Sequence, residues 1–133
     1  MKLTTRSEYA LLALLFLARH EGDEPVSGEV IAQEQGIPPK FLQQILLALK
    51  RARYVHSAKG QRGGYLLAKK PDEISLAEIV RLLDGALAPT ESVSTYFYES
   101  TPIEREEKLL DVFREIRDYV AYKLEDTTLA DVM

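Results

Sequence analysis

The chain has 133 residues, 46% of them hydrophobic, and a formal net charge of −4 at neutral pH. That length and apolar content suit one domain, or a small domain with an appended arm, and exclude a disordered or fibrous chain. With no cysteine the chain forms no disulfide and offers no thiolate to a metal. Cysteine usage is therefore silent about its redox compartment, and cytoplasm is the default reading.

The first element is a helix over residues 5–20, with Thr4 or Thr5 as its cap and Gly22 ending it. Lys2 and Arg6 before the apolar run from position 9 to 18 imitate a secretory signal. Glu8 interrupts that pattern, no small-residue cleavage site follows, and ten apolar residues are about half a membrane span. A helix buried on several sides explains the run better. A second helix begins at Ser27, whose hydroxyl can cap free N–H groups, and stops at Gly36. In the tight turn Gly36-Ile37-Pro38-Pro39, Ile37 plugs the core and Pro39 opens the third helix, which runs to about Ala52.

At 100° per residue the third helix puts Leu42, Ile45, Leu46 and Leu49 on a core face. Lys40, Gln43, Gln44, Leu47 and Arg51 fall opposite. Gln pairs with adenine in the major groove, Lys reaches guanine or phosphate, and an exposed Leu47 meets a thymine methyl. An ordinary solvated face has the same composition, so the helix alone does not decide between them. The next segment adds weight. Residues 54–57 and 65–67 read as two short strands around Ala58-Lys59-Gly60-Gln61-Arg62-Gly63-Gly64, a glycine-rich wing with cations at its tip. A loop joining strand to strand, without a Lys-Ser/Thr ending, is not a nucleotide-binding loop.

A fourth helix opens with Ser75 facing Glu78 in a capping box and closes at Asp84-Gly85. Residues 86–102 show no period but hold Tyr96, Phe97 and Tyr98. A long helix is predicted over residues 103–124, with Leu109, Phe113, Ile116, Val120 and Leu124 repeating; it outreaches so small a domain and calls for a two-fold partner helix. A short last helix follows, capped at Thr127 or Thr128. Charge is segregated along this path: residues 1–75 sum to +3 and residues 76–133 to −7. Lys40, Lys50, Arg51, Arg53, Lys59, Arg62, Lys69 and Lys70 stand in a stretch free of Asp and Glu, the footprint of a phosphate-binding surface.

These residues bear a family likeness. The chain resembles the bacterial winged helix-turn-helix regulators IscR, NsrR and CymR, over nearly its whole length. The likeness rests on Tyr9-Ala10, Ile31-Ala32, Gly36-Ile37-Pro38, Phe41-Leu42-Gln43-Gln44, the wing from Lys59 through Gly63-Gly64 to Leu67, and Ser75-Leu76-Ala77-Glu78-Ile79-Val80. It implies a third helix in the major groove, a wing cation in the minor groove and a long helix that pairs two subunits. Lys40, Gln43 and Gln44 would read bases, and Lys59 would enter the minor groove. Many members hold an iron-sulfur cluster on three cysteines after the fourth helix. Residues 88–102 offer none, which implies the cluster-free branch and DNA affinity indifferent to oxygen, nitric oxide and chelators. Glu8, near where some relatives place a further ligand, reads as a surface or packing residue. Glu91 and Glu99 fall short of the six to eight oxygens calcium takes, and His20 and His56 are too far apart in sequence to suggest a metal site.

The resulting expectation is a mainly α fold with a small β-hairpin (α+β): a winged helix-turn-helix domain at 1–85 and a sensing-type loop with a dimerisation helix at 86–133. The DNA-contacting set is Pro39, Lys40, Gln43, Gln44, Leu47 and Arg51 on the helix, with Lys59, Gly60, Arg62 and Gly63 in the wing. Leu109, Phe113, Ile116 and Val120 form the dimerisation set. The function is a non-enzymatic transcription regulator in the cytoplasm, by preference a repressor, acting as a homodimer on a near-palindromic double-stranded DNA operator. It has no metal, cofactor or membrane contact; a small molecule or a protein could serve as effector. The alternative is a winged-helix protein-interaction module that does not bind DNA.

Overall fold

A computed structural model of the chain describes residues 1–20, 22 and 24–133. Helix α1 (Thr5–Arg19) starts where the Thr4 hydroxyl accepts the Ser7 N–H at 3.3 Å. It ends two residues before Gly22, at His20, whose N–H donates to Leu17 O and whose Nδ1 meets Phe16 O at 2.7 Å. Ala10, Ala13, Leu14, Phe16, Leu17 and Ala18 are all buried, so the missing polar face of this helix reflects neighbours on several sides.

Helix α2 (Gly28–Gln35) is capped by the Ser27 hydroxyl and closed by Gly36, and α3 (Pro39–Arg51) carries Pro39 in its first turn. Leu42, Ile45, Leu46 and Leu49 of α3 are buried against α1 and α2. Burying each such side chain stabilises the fold by about 1.5–3 kcal/mol. The strands are β1 (Val55–Ala58) and β2 (Gly64–Leu67), antiparallel with Val55 opposite Leu67 and Ala58 opposite Gly64. The hairpin is therefore closed one pair nearer its tip than the sequence suggests. Helix α4 (Leu76–Asp84) has the expected capping box between Ser75 and Glu78.

The long helix differs from expectation. Pro102–Arg105 form a separate 3-10 turn, Glu106 is extended at φ −119° and ψ 95°, and α5 runs over Glu107–Asp126. Its 20 residues span about 30 Å. Pro102 sets the φ of that turn and supplies no N–H, so an apolar residue such as Ile103 fits the helical period without belonging to the helix. Residues 86–102 also hold more order than their lack of period implies: Glu91–Val93 make a 3-10 turn, and Leu87, Ala88 and Val93 are buried.

The chain then returns to the first half. Leu76 N–H donates to Thr127 O at 2.8 Å and Leu129 N–H to Ile74 O at 3.0 Å, a bridge pairing Ser75 with Thr128. Leu129, in the short helix α6 (Leu129–Val132), is fully buried in the same core cluster as Leu14, Ile45 and Ile74. A boundary at residue 85 is thus crossed by the last helix, which closes the core of the winged half.

A second bridge fixes the hairpin. Val26 N–H donates to Tyr65 O at 3.0 Å and Tyr65 N–H to Val26 O at 2.8 Å. The approach leaves no room for a side chain at Gly64, where a Cβ would lie 2.3 Å from Val26 O. Gly64→Ala should therefore destabilise the protein by about 2 kcal/mol or more, because backbone and not a flexible side chain must move. Urea unfolding checks this: the midpoint should fall at unchanged m-value.

Candidate nucleic-acid interface

Pro39, Lys40, Gln43, Gln44, Leu47 and Arg51 are all exposed, and Lys59, Gly60 and Arg62 are exposed at the wing tip with Gly63 half-buried behind them. Gly60 turns the tip at φ +108°, a conformation that favours glycine. The α3 and wing groups meet at one groove of about 390 Å³, lined by Pro39 and Gln43 from α3, Gly63 and Gly64 from the wing and Ser27 and Gly28 from the start of α2. One rigid surface thus presents amide and cationic groups on a helix beside a cationic hairpin.

Ion pairing sharpens the contrast between the two halves. Among the described residues the salt bridges join Arg81 to Glu125, Arg114 to Glu107 and Asp111, and Arg117 to Asp118, at 2.6–2.7 Å. All lie in the acidic half. Lys40, Arg51, Lys59 and Arg62 take part in none of these pairs.

The wing is anchored at its root by a polar cluster. Tyr54 Oη donates to Glu78 Oε1 at 3.1 Å, Ser75 N–H donates to Glu78 Oε2 at 2.8 Å, and Lys69 Nζ lies 4.7 Å from the Tyr54 ring centre. Burial, then the adjacent Glu78 charge and hydrogen bond, push the Tyr54 hydroxyl up to about 12. Burial also pushes the Glu78 carboxyl up, but the Ser75 and Tyr54 hydrogen bonds and the Lys69 charge outweigh it and hold Glu78 below the usual carboxylate range.

The comparisons with known proteins bear on this geometry. The model of the Rrf2 family, described as iron-dependent transcriptional regulators, matches residues 3–133. This chain belongs to the Rrf2 family of transcriptional regulators. It is 34% identical over 132 residues to the HTH-type transcriptional regulator CymR of Bacillus subtilis, covering 99% of this chain and 89% of that one. The solved structure of CymR, the global cysteine regulator of B. subtilis, superposes with a TM-score of 0.80 at 33% identity, covering 99% of this chain and 95% of that one. IscR of T. potens gives 0.77 at 30% identity, covering 99% and 85%. The chain is accordingly a DNA-binding transcription regulator of the winged-helix type.

Iron in the family's description requires a test against the residues present. Clusters are held by Cys thiolates, and even mixed His sites keep some Cys. This chain has none, and among the described residues no three His, Asp or Glu side chains come together as a metal site. The residues do not fit the group. A hydroxyl pair and a guanidinium close the corresponding loop: Thr101 Oγ1 donates to Ser92 Oγ at 2.6 Å, and Arg117 Nη1 donates to Val93 O at 2.8 Å. Glu8 is exposed on α1.

Sequence reasoning missed two features. His20 and His56, distant along the chain, line one cleft with Lys69, Lys70 and Glu73. On α5, Leu109 and Ile116 are exposed, but Phe113 packs inward with Ala88, Val93 and Leu110, and Val120 is half-buried. Val112 and Tyr119 complete the outward row instead, at 51% and 73% exposure. The 3-4-3 spacing from Leu109 to Tyr119 is the signal that marks this row.

Two measurements follow. Lys59→Ala and Arg62→Ala should each weaken DNA binding and reduce the salt slope of affinity by about one unit, read from titrations at several salt concentrations. An unchanged slope in both removes the wing from the DNA surface. The Tyr54–Glu78 pair should shape stability against pH. A raised Tyr54 value means its contribution is full below about 10 and is lost as pH rises towards about 12. Glu78, held low, contributes above the ordinary carboxylate range and loses its contribution as pH falls through its own value. Tyr54→Phe should cost about 1 kcal/mol at neutral pH and flatten the alkaline limb of unfolding free energy.

Proposed function

We propose that the protein is a homodimeric repressor that binds a near-palindromic operator through α3 and the wing of each subunit and occludes a promoter. The observation that carries this reading is the shared groove lined by Gln43 of α3 and Gly63 of the wing, with the exposed cations Lys40, Arg51, Lys59 and Arg62 on the same helix and hairpin. Lys40, Gln43 and Gln44 read base edges, Leu47 meets a thymine methyl, and Pro39 and Arg51 border the groove. Lys59 and Arg62 hold phosphate or enter the minor groove, with Gly60 and Gly63 letting the wing backbone approach.

Residues 1–85 carry the DNA-binding surface, and residues 86–133 carry the loop and α5. The dimer forms through the outward row of α5, with Leu109 and Ile116 as its centre. Apolar side chains spaced 3-4-3 on a 20-residue helix suit packing against an identical helix. Phe113 and Val120 support that row from beneath. The protein regulates without a cluster and without catalytic activity, in the cytoplasm where its operator lies; among the described residues no helix is long and apolar enough to cross a membrane. The loop with Tyr96, Phe97 and Tyr98, which are 70%, 46% and 59% exposed, is the place where a small molecule or protein effector would act.

Sedimentation and operator titration test the assembly together. The wild-type protein should sediment as a dimer at micromolar concentration and bind half-sites one helical turn apart, or a multiple of it, two chains per operator. Ile116→Asp, exposed in the single chain, should keep the fold and give monomers with sharply weaker operator binding. A wild-type monomer that binds DNA one to one overturns the dimeric reading.

A further inference from the structure

Beyond Pro39 at its start, the exposed surface of α3 is amide and cationic except at two places. Leu47 is one, and the other is Phe41, which is 49% exposed. Phe41 is the third residue of α3, in the N-terminal turn by which a recognition helix meets base edges. It lies one turn before Gln44 and next to Lys40, so its ring borders the groups assigned to base reading. An aromatic side chain there has no donor for phosphate and no acceptor for an exocyclic amine. The chemistry it recognises is an apolar group.

The ring is also held in place. Tyr9 of α1 packs beside it, with ring centres 6.2 Å apart and planes at 55°, a tilted arrangement typical of favourable aromatic pairs. Tyr9 is itself half-buried against the core. A side chain fixed in this way loses little rotamer freedom on binding, so its contact is delivered without much ordering cost.

In the major groove the apolar group within reach of such a ring is the C5 methyl of thymine. We infer that Phe41, braced by Tyr9, is a specificity-determining residue that selects a thymine in each half-site through its methyl group. It would act beside Gln43 and Gln44, whose amides pair with adenine, and at a base pair distinct from the one covered by Leu47. Together these four side chains favour A·T pairs under the first turns of α3.

The inference rests on the DNA-binding reading, and its test separates the two. Duplexes are first selected from a random pool by the full-length wild-type protein. Each thymine of the selected site is then replaced by deoxyuridine, which removes the methyl and leaves base pairing unchanged. Two thymines per half-site, one under Phe41 and one under Leu47, should each lose about fourfold in affinity on this replacement, the value of one buried methyl-sized group. In Phe41→Ala the first position should become indifferent, while the second, lost only in Leu47→Ala, stays sensitive. Phe41→Gln, which keeps a good helix former at an exposed site, should give the same pattern and guards against a folding defect in the alanine variant. If both Phe41 variants keep every deoxyuridine penalty of the wild type, the role of Phe41 is refuted while DNA binding stands. If they instead change the sedimentation of the free protein, the ring belongs to a subunit contact and the inference falls. If the wild type retains no duplex at all, the DNA-binding reading falls with it.

Discussion

The position of the wing depends on two backbone hydrogen bonds, those between Val26 and Tyr65 at 3.0 and 2.8 Å. A two-stranded hairpin is marginal in water by itself. Here Val26 acts as a one-residue third strand, while Val55, Tyr65 and Leu67 dock on the core beneath. The bridge ties the wing to the segment that immediately precedes α2, and α2 packs on α3. The spacing between wing and reading helix is thus set by backbone geometry, and Tyr54 on Glu78 adds a side-chain tether at the hairpin root. In the proposed complex a DNA duplex would meet a preformed surface that costs little to order.

The same device recurs at the other end of the molecule. Ser75 pairs with Thr128 as Val26 pairs with Tyr65, and the buried Leu129 locks that return in place. Helix α5 is consequently fixed at mid-length, by Arg117 on Val93 O, and at its C-terminal end, by the bridge just beyond Asp126. Tilting α5 relative to α4 would pull Leu124 from Ala77, Val80 and Leu87 and strain the return to Leu129. In a dimer built on α5 this rigidity would set the separation of the two α3 helices, and with it the half-site spacing. Ser75 and Glu78 sit at the junction of both tethers, because the capping box that starts α4 also receives Tyr54 from the wing and lies beside Thr128 from the tail.

Features set by local chemistry were readable in the sequence. Ser27, Gly36, Pro39 and the Ser75–Glu78 box mark helix ends within a few residues of themselves, and the 3.6 period of α3 separated Leu42, Ile45, Leu46 and Leu49 from the exposed set without error. What escaped depends on distant partners. Phe113 and Val112 are neighbours on α5, and only the buried Ala88 and Val93 decide that Phe113 turns inward. Leu129 joins the core through Ile74, more than fifty positions away, so no local pattern reveals that the tail completes the first half. The start of α5 failed for a different reason: Ile103 satisfies the helical period while Pro102 imposes a separate turn.

A net charge of −4 does not oppose DNA binding, because the duplex responds to charge within about 8 Å at physiological salt and not to the total. The structure divides the charges into two populations. Arg81, Arg114 and Arg117 hold their carboxylates at 2.6–2.7 Å, so their excess over neutral is small, and approach to phosphate would first break those pairs. Lys40, Arg51, Lys59 and Arg62 are solvated, outside those pairs, and placed on the helix face and hairpin that border one groove. Counterion release on binding scales with the phosphates neutralised by such groups. The acidic half would add a second effect in the proposed complex, disfavouring approaches that lead with residues 76–133. On the proposed surface uneven charge would therefore supply orientation as well as affinity, the surplus of Asp and Glu in residues 76–133 acting from the face turned away from the duplex.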